Sequence, residues 1–241
     1  MPVLEASSLN VRFGETQAVD DVGLSVDAGE IVGLIGPNGA GKTTTFNAIS
    51  GVQSCRGSVR LDGTDISRAS PHRRVRLGMS RTFQRLELFG SMSASDNIQT
   101  AGEITARSRR RSHRSVVERT GEILALLGLS DVADDRAETL PTGRARLVEV
   151  GRALATDPKV VLLDEPASGL DEFETGHLAE VLQRVRDSGV AVLMVEHDLD
   201  LVMELCSRLY VMNLGAVIAH GHPDDVRRDS SVQDAYLGTT V

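Results

Sequence analysis

A glycine-rich segment near the N-terminus restricts the possible folds of this chain more than any other feature. Residues 36–43 read Gly-Pro-Asn-Gly-Ala-Gly-Lys-Thr and match the pattern G-x-x-x-x-G-K-[ST]. The apolar run 30–35 before them predicts a buried strand, and residues 44–50 after them predict a helix. This order places backbone N–H groups at a helix N-terminus, where phosphate is commonly bound. The segment therefore predicts an α/β fold with a phosphate-binding loop.

The residue types in this loop suit a nucleotide triphosphate. Its glycines permit the backbone turns that point successive N–H groups inward. Lys42 adds a positive charge for the outer phosphates, and the Thr43 hydroxyl is suited to coordinate Mg²⁺. We assign the whole loop and the residue after it to nucleotide binding: Gly36, Pro37, Asn38, Gly39, Ala40, Gly41, Lys42, Thr43 and Thr44.

The pattern of apolar residues predicts the rest of the core. Runs at 30–35, 159–163 and 190–195 are short, β-branched and almost continuously apolar, as expected for parallel strands covered on both faces. Amphipathic helical patterns over 115–127 and 173–186 lie between them. Alternating strands and helices predict a P-loop NTPase core of the α/β class with a mostly parallel sheet.

Two further regions are expected to be built into this core. Residues 9–13, 22–26 and 57–61 alternate in polarity and predict a small N-terminal antiparallel β subdomain. Residues from about 86 to 153 show mainly helical patterns and predict an inserted helical subdomain. We therefore expect a single domain over residues 3–238.

Polar residues follow two of the predicted core strands. Asp164 and Glu165 come directly after the apolar run 159–163, and His197 follows the run 190–195. Ligands of α/β sheets bind at the carboxyl ends of the strands. We expect Asp164 to hold a magnesium ion, Glu165 to orient or deprotonate an attacking water molecule, and His197 to contact the terminal phosphate.

Charge and composition exclude several classes of protein. The 241 residues carry a net charge of −8, which argues against a nucleic-acid-coating protein. No run approaches the roughly 20 apolar residues that cross a bilayer. The N-terminus lacks the pattern of a signal peptide, and two distant cysteines fit a reducing compartment. The arginines between Arg107 and Arg114 are interpreted as a solvated face, with contact to anionic lipid as the alternative.

Taken in order, six segments resemble the ATP-binding cassette family over essentially the full chain. They are the loop 36–43, Arg81-Thr82-Phe83-Gln84, Leu140-Pro141-Thr142-Gly143-Arg144, Leu162-Leu163-Asp164-Glu165-Pro166, Ser168-Gly169-Leu170-Asp171 and Glu196-His197-Asp198. The resemblance implies an ATPase that uses ATP and Mg²⁺. It also implies that two cassettes face each other head to tail, so that each site is completed by the opposite chain.

The resemblance also implies roles for individual residues. Phe13 is similar to the aromatic residue that stacks on adenine, and Gln84 to the glutamine that senses Mg²⁺ and the γ-phosphate. Asp171 resembles the acid that communicates across the dimer, and Gly143 belongs to the segment that reaches the partner's ATP. Glu165 resembles the catalytic base. His197 resembles the switch histidine.

One segment departs from the family pattern. The usual Leu-Ser-Gly-Gly-Gln reads Leu-Pro-Thr-Gly-Arg at 140–144, so Pro141 has neither the hydroxyl nor the N–H group of a serine. Loss of a charge-assisted hydrogen bond costs about 1.5–3 kcal/mol. We expect the site that this segment completes on a partner to be the weaker one, with Arg144 offsetting part of the loss.

Within the family, the chain looks like the ATPases of branched-chain amino acid uptake permeases. The similar segments are Arg81–Gln84 with Leu88-Phe89, residues 36–51, residues 196–210 and the C-terminal Asp234-Ala235-Tyr236-Leu237-Gly238. This resemblance implies membrane permease subunits, a second cassette and, indirectly, an extracytoplasmic binding protein as partners. It places the chain at the cytoplasmic face of the membrane. The alternatives are urea or amide uptake, lipopolysaccharide export, and a cassette ATPase of DNA repair or translation.

Overall fold

Two β-sheets organise the described residues, 2–109 and 112–237, of the computed structural model. The smaller sheet has the strand order β2-β1-β4-β5, and the larger has the order β10-β9-β3-β8-β7-β6. The strands are β1 (Leu4–Phe13), β2 (Thr16–Val26), β3 (Ile31–Ile35), β4 (Arg56–Leu61), β5 (Thr64–Asp65), β6 (Met79–Arg81), β7 (Val160–Asp164), β8 (Ala191–Val195), β9 (Arg208–Asn213) and β10 (Ala216–Gly221).

Helices cover the larger sheet and fill the long connection between β6 and β7. They are α1 (Lys42–Ser50), α2 (Pro71–Leu77), α3 (Ala94–Arg109), α4 (His113–Leu126), α5 (Thr142–Leu154), α6 (Glu172–Asp187), α7 (Leu199–Leu205), α8 (Pro223–Arg228) and α9 (Ser230–Leu237). Two single-turn 3₁₀ helices, Ser130–Val132 and Ala137–Thr139, lie between α4 and α5.

The three predicted core strands are confirmed, each within a residue of its predicted ends. Every residue of β3, β7 and β8 is buried, and the three strands pair in parallel. Continuous apolar runs suit these positions because both faces of the sheet are covered, one by helices and the other by α1 together with the smaller sheet. The fold is therefore the predicted α/β class, with a mostly parallel central sheet.

The antiparallel N-terminal sheet is also present, but its strands are longer than the sequence indicated. β1 begins at Leu4 rather than at residue 9, and β2 begins at Thr16 rather than at residue 22. Both strands carry irregular registers, with shifts between Ala6 and Leu9 and beyond. These irregularities interrupt the two-residue alternation by which a strand is recognised from its sequence.

The residues from 86 to 153 contain α3, α4 and most of α5, in agreement with their helical pattern. The predicted domain boundary at 238 lies outside the described residues, and the single-domain assignment over 3–238 stays a prediction. Two arginines of the basic run, Arg110 and Arg111, also lie outside them. Among the helices that the structure describes, none is long and apolar enough to cross a membrane.

Candidate functional site

The loop between β3 and α1 closely approaches neighbouring backbone, and glycine is required at two positions. Gly36 has φ 144°, and a Cβ atom there would lie 2.1 Å from the carbonyl oxygen of Met212. Gly41 has φ 102°, and a Cβ atom there would lie 2.5 Å from the carbonyl oxygen of Ala18. Both conformations disfavour residues with side chains. The glycines that sequence analysis assigned to phosphate binding thus let the loop pack against β2 and β9.

The N-terminus of α1 is available to an anion. The helix begins at Lys42, and Gly41 at its cap position supplies no side-chain hydrogen bond to the first turn. The first turn also contains no acidic residue. The N–H groups at a helix start carry a partial positive charge and lack partners within the helix. The start of α1 is thus a suitable site for phosphate oxygens.

The Lys42 side chain is buried beneath the loop. Its Nζ atom donates hydrogen bonds to the carbonyl oxygens of Gly36 at 2.6 Å and Pro37 at 3.0 Å. Burial lowers the pKa of Lys42, while the nearby carboxylates of Glu165 and Asp164 act in the opposite direction. The two carbonyl groups are neutral, so they compensate the charge of the Lys42 ammonium group only in part. Phosphate oxygens would supply the full negative charge.

A cavity of about 530 Å³ lies over this loop and is large enough for a nucleotide. Loop residues from Asn38 to Thr44 form one side of it, and Glu165 lies at its edge. The start of β2 and the turn between β9 and β10 form the remaining walls: Thr16, Gln17, Ala18, Leu214 and Gly215. Sequence analysis missed these walls, because no local motif marks them.

Phe13, predicted to stack on adenine, lies at the end of β1. It pairs in register with Thr16, which lines the cavity, and it is 51% exposed. An aromatic ring exposed beside a nucleotide-sized cavity has a free face on which a base can stack. Phe13 is not among the residues that line the cavity, and its role in stacking on adenine stays a prediction.

The two acids at the end of β7, Asp164 and Glu165, have different environments. Asp164 is buried, and its Oδ2 atom lies 2.7 Å from Nη2 of Arg81. Glu165 lines the cavity and has φ 49°, an uncommon conformation for a residue with a side chain. Its Oε2 atom accepts a hydrogen bond of 2.9 Å from Nε2 of Gln84. The structure therefore brings together Gln84 and Glu165, which are distant in sequence.

His197 follows β8, as predicted, with its side chain 66% exposed. Its Nδ1 atom lies 3.7 Å from Oε2 of Glu196, which is buried. The Glu196 carboxylate also accepts the backbone N–H groups of Ala167 at 2.7 Å and His197 at 3.1 Å. Burial raises the pKa of Glu196. Glu196 thus connects the loop that follows Glu165 with the loop that carries His197.

Gly143 and Asp171 do not line the cavity over the phosphate loop. They line a second cavity of about 540 Å³, together with Pro141, Phe173 and other residues. Asp171 caps α6, accepting the Glu174 N–H group at 2.8 Å, and Glu174 accepts the Gly143 N–H group at 3.2 Å. One chain therefore presents two separate parts of the predicted site.

The segment after Gln84 is attached to α5 and α3 through its backbone. The Glu149 carboxylate accepts the Glu87 N–H group at 2.8 Å, and Arg146 donates to the Gln84 carbonyl oxygen at 2.9 Å. The amide of Asn97 bonds both backbone polar groups of Phe89. We call residues 84–89 the Gln84 segment. Two large apolar side chains of this segment, Leu86 and Phe89, are exposed, and so is Phe83 directly before it.

The residues at this site fit Mg²⁺ when it is bound together with a phosphate group. Among the described residues, no cluster of three or more His, Cys, Asp or Glu side chains is placed to hold a metal ion alone. Mg²⁺ is usually held by one or two carboxylates, with substrate phosphates and water completing its shell. Asp164, the Thr43 hydroxyl and the Gln84 amide oxygen are oxygen donors of the type that Mg²⁺ prefers.

Comparison with known families agrees with this geometry. The ABC transporter family profile matches residues 19–168, which include the phosphate loop and both acids at the end of β7. A second profile, for branched-chain amino acid ATP-binding cassette transporters, matches residues 216–241 at the C-terminus.

Similar proteins match nearly the whole chain. The branched-chain amino acid transport ATP-binding protein BraF of Pseudomonas aeruginosa is 39% identical, with 98% of each chain covered. LptB of Escherichia coli, the ATP-binding protein of a lipopolysaccharide export system, is 36% identical, covering 99% of this chain and 98% of LptB. LivG of Escherichia coli, a branched-chain amino acid transport ATP-binding protein, is 36% identical, with 98% of each chain covered.

Solved structures share the fold. The ADP conformation of the ATP-binding cassette MJ1267 superimposes with a TM-score of 0.90 at 33% identity, covering 99% of each chain. A nucleotide-free ATP-binding cassette superimposes with a TM-score of 0.86 at 31% identity, covering 98% of this chain and 99% of the other. With the phosphate loop, the paired Gln84 and Glu165, and these full-length matches, the chain belongs to the ABC transporter family as an ATP-hydrolysing, ATP-binding cassette protein.

Proposed function

We propose that this cassette hydrolyses ATP to drive uptake of branched-chain or related hydrophobic amino acids through membrane permease subunits. The observation that carries this proposal is the match of residues 216–241 to the branched-chain amino acid profile. Full-length similarity to BraF and LivG supports it. Lipopolysaccharide export is the second candidate, because LptB is similar over 99% of the chain.

In the proposed reaction, the phosphate loop binds the triphosphate of ATP. Backbone N–H groups at the start of α1 and the ammonium group of Lys42 would hold its oxygens. Thr43, Asp164 and Gln84 would hold Mg²⁺, which neutralises charge on the outer phosphates when bound. Phe13 would stack on the base.

Glu165 is the proposed base for the attacking water molecule. It lies at the edge of the cavity, where water can approach the terminal phosphate. Its bond from Gln84 Nε2 orients the carboxylate without neutralising it. We assign to His197 a hydrogen bond to the terminal phosphate. Its ring is exposed on the loop after β8 and is therefore accessible to a ligand.

A second cassette would complete each site. Gly143 and Asp171 line a cavity apart from the phosphate loop, and this cavity would face the nucleotide bound by another chain. A head-to-tail pair, formed by two copies or with a sister ATPase, would bring the two parts together. We expect the permease subunits to contact residues 85–92 at the cytoplasmic face of the membrane, with an extracytoplasmic binding protein acting indirectly through them. Nucleic acid is not an expected partner.

The proposal is tested by isolating the chain with its partners from native membranes. We expect two permease subunits, a second cassette and a binding protein for hydrophobic amino acids, and we expect reconstituted vesicles to take up leucine when ATP is supplied. Recovery of lipopolysaccharide-export components would support the second candidate. Recovery of ribosomes or DNA would contradict the transporter assignment.

The unusual Pro141 gives a further prediction. Pro141 lies at the cap of α5 and supplies no side-chain bond to that helix, whereas serine would provide a hydroxyl group. We expect Pro141→Ser to raise the ATPase turnover of the assembled transporter by about tenfold to a hundredfold, the gain from one hydrogen bond to a charged group. Steady-state phosphate release measures this. Thr139→Ser, at an exposed position outside the cap, is the control. Unchanged turnover in Pro141→Ser would contradict the expectation that Pro141 weakens the site completed on a partner.

A further inference from the structure

Arg81 is buried between the acid proposed to hold Mg²⁺ and the helix that begins at Lys42. Its side chain is 8% exposed, and Asp164 opposite it is 5% exposed. Nη2 lies 2.7 Å from Oδ2 of Asp164. Nη1 donates to Oδ1 of Asn47 at 2.6 Å and to Oγ of Ser50 at 3.0 Å, both on α1. One guanidinium group therefore connects the end of β7 with α1.

Aromatic rings hold the same guanidinium group in place. Its central carbon lies 5.8 Å from the centre of the Phe46 ring and 5.2 Å from that of Phe83. Phe46 is on α1, and Phe83 directly precedes Gln84. These distances are within the range of cation–π attraction. Packing thus fixes both the position of Arg81 and its hydrogen bonds.

The bonds of Arg81 fix the position of Asp164 relative to α1, which carries Thr43. Thr43 is at the start of α1, one turn before Asn47, and Asp164 ends β7. A planar guanidinium group has a rigid set of donors, so its bonds to both elements fix the distance between them. The backbone N–H group of Asp164 is also held by the Thr82 hydroxyl at 3.3 Å. Residues 81 and 82 therefore support Asp164 at both its side chain and its backbone.

We propose that Arg81 is a positioning residue that sets Asp164 relative to the Thr43 end of α1, so that both can bind one Mg²⁺ ion with ATP. This inference rests on the proposed function, in which the site binds Mg·ATP. Arg81 is assigned no direct contact with Mg²⁺ or ATP. Partners of metal-binding carboxylates commonly change metal affinity by about 10- to 100-fold when they are replaced.

Two variants distinguish the effect of the bonds from Arg81 to α1 from the effect of its positive charge. Arg81→Lys keeps a positive charge beside Asp164 but loses the fork that reaches α1. Asn47→Ala/Ser50→Ala removes both acceptors on α1 and leaves the bond from Arg81 to Asp164 intact. The matched control is Arg208→Lys, since Arg208 also bonds a carboxylate, that of Glu30 at 2.9 Å, but lies outside the site.

The experiment is a titration of the full chain with Mn²⁺, a spectroscopic substitute for Mg²⁺, followed by electron paramagnetic resonance with a non-hydrolysable ATP analogue. We expect the dissociation constant for Mn²⁺ to rise about tenfold in Arg81→Lys and at least about threefold in the α1 double variant. Affinity for the analogue in the presence of EDTA should stay within about twofold of wild type. Arg208→Lys should match wild type in both measurements.

The outcomes distinguish the inference from the proposed function. Wild-type Mn²⁺ affinity in both site variants, even with lower melting temperatures, would show that Arg81 acts only in stability and would overturn the inference. Equal losses of analogue binding with and without metal would overturn it too. If Arg81→Lys does not fold, the double variant decides the question. Failure of the wild-type chain to bind the analogue would instead contradict the proposed function.

Discussion

Replacing Glu165 with glutamine should lower the ATPase turnover by about 10²- to 10⁴-fold, the usual contribution of a general base. The amide has nearly the same shape but cannot accept a proton from water. ATP binding should remain within about threefold of wild type, because the phosphate loop and Lys42 are unchanged. A glutamine at this position can still pair with Gln84, so the fold should be preserved.

The measurement is single-turnover hydrolysis together with equilibrium binding of labelled ATP. Glu204→Gln is the matched control, because Glu204 is exposed on α7 and away from the cavity. We expect this control to hydrolyse ATP at the wild-type rate. Turnover within tenfold of wild type in Glu165→Gln would mean that another group activates water. Loss of binding would mean that Glu165 serves the loop rather than the reaction.

Lys42→Ala should weaken binding of Mg·ATP by about 100-fold, because a buried charged group that bonds phosphate contributes about 1.5–3 kcal/mol. The effect should be large because the Lys42 side chain lies beneath the loop and bonds the carbonyl oxygens of Gly36 and Pro37. Removing the side chain therefore takes away a charge for the phosphates and two bonds that shape the loop.

Isothermal titration calorimetry with Mg·ATP measures this change. The sequence contains one other lysine, Lys159, which is exposed and paired with Asp62 on the surface. Lys159→Ala should bind Mg·ATP as wild type does, since exposed ion pairs contribute little. Wild-type affinity in Lys42→Ala would disprove the assignment of the cavity to the triphosphate.

The sequence predicts the centre of this fold well and its edges poorly. β3, β7 and β8 are found because both faces of the central sheet are covered, and this burial requires continuous apolar runs. β6 was missed because three residues are too few to show a pattern. β10 was missed because it is an edge strand whose residues are partly or fully exposed. β9 was also missed although its residues 209–212 are buried, so burial alone does not decide which strands are recognised from the sequence.

Some residues of the site also belong to local sequence motifs, whereas others are brought there only by the fold. The phosphate loop and Glu165 belong to local motifs, and the structure places them around one cavity. The Arg81–Asp164 pair joins residues 83 positions apart and leaves no local pattern. Leu214 and Gly215 reach the cavity only because β9 packs beside β3. Such contacts depend on topology, which no short motif encodes.

The attachment of the Gln84 segment has a consequence for how such proteins diversify. Its anchors engage backbone atoms: the Glu87 N–H group, the Gln84 carbonyl oxygen and both polar groups of Phe89. Backbone groups are present whatever the side chain. The identities of Leu86 and Phe89 can therefore change without loss of these bonds. If residues 85–92 contact the permease subunits as proposed, substitutions there would change the surface offered to the partner while the path of the chain beside Glu165 stays constant.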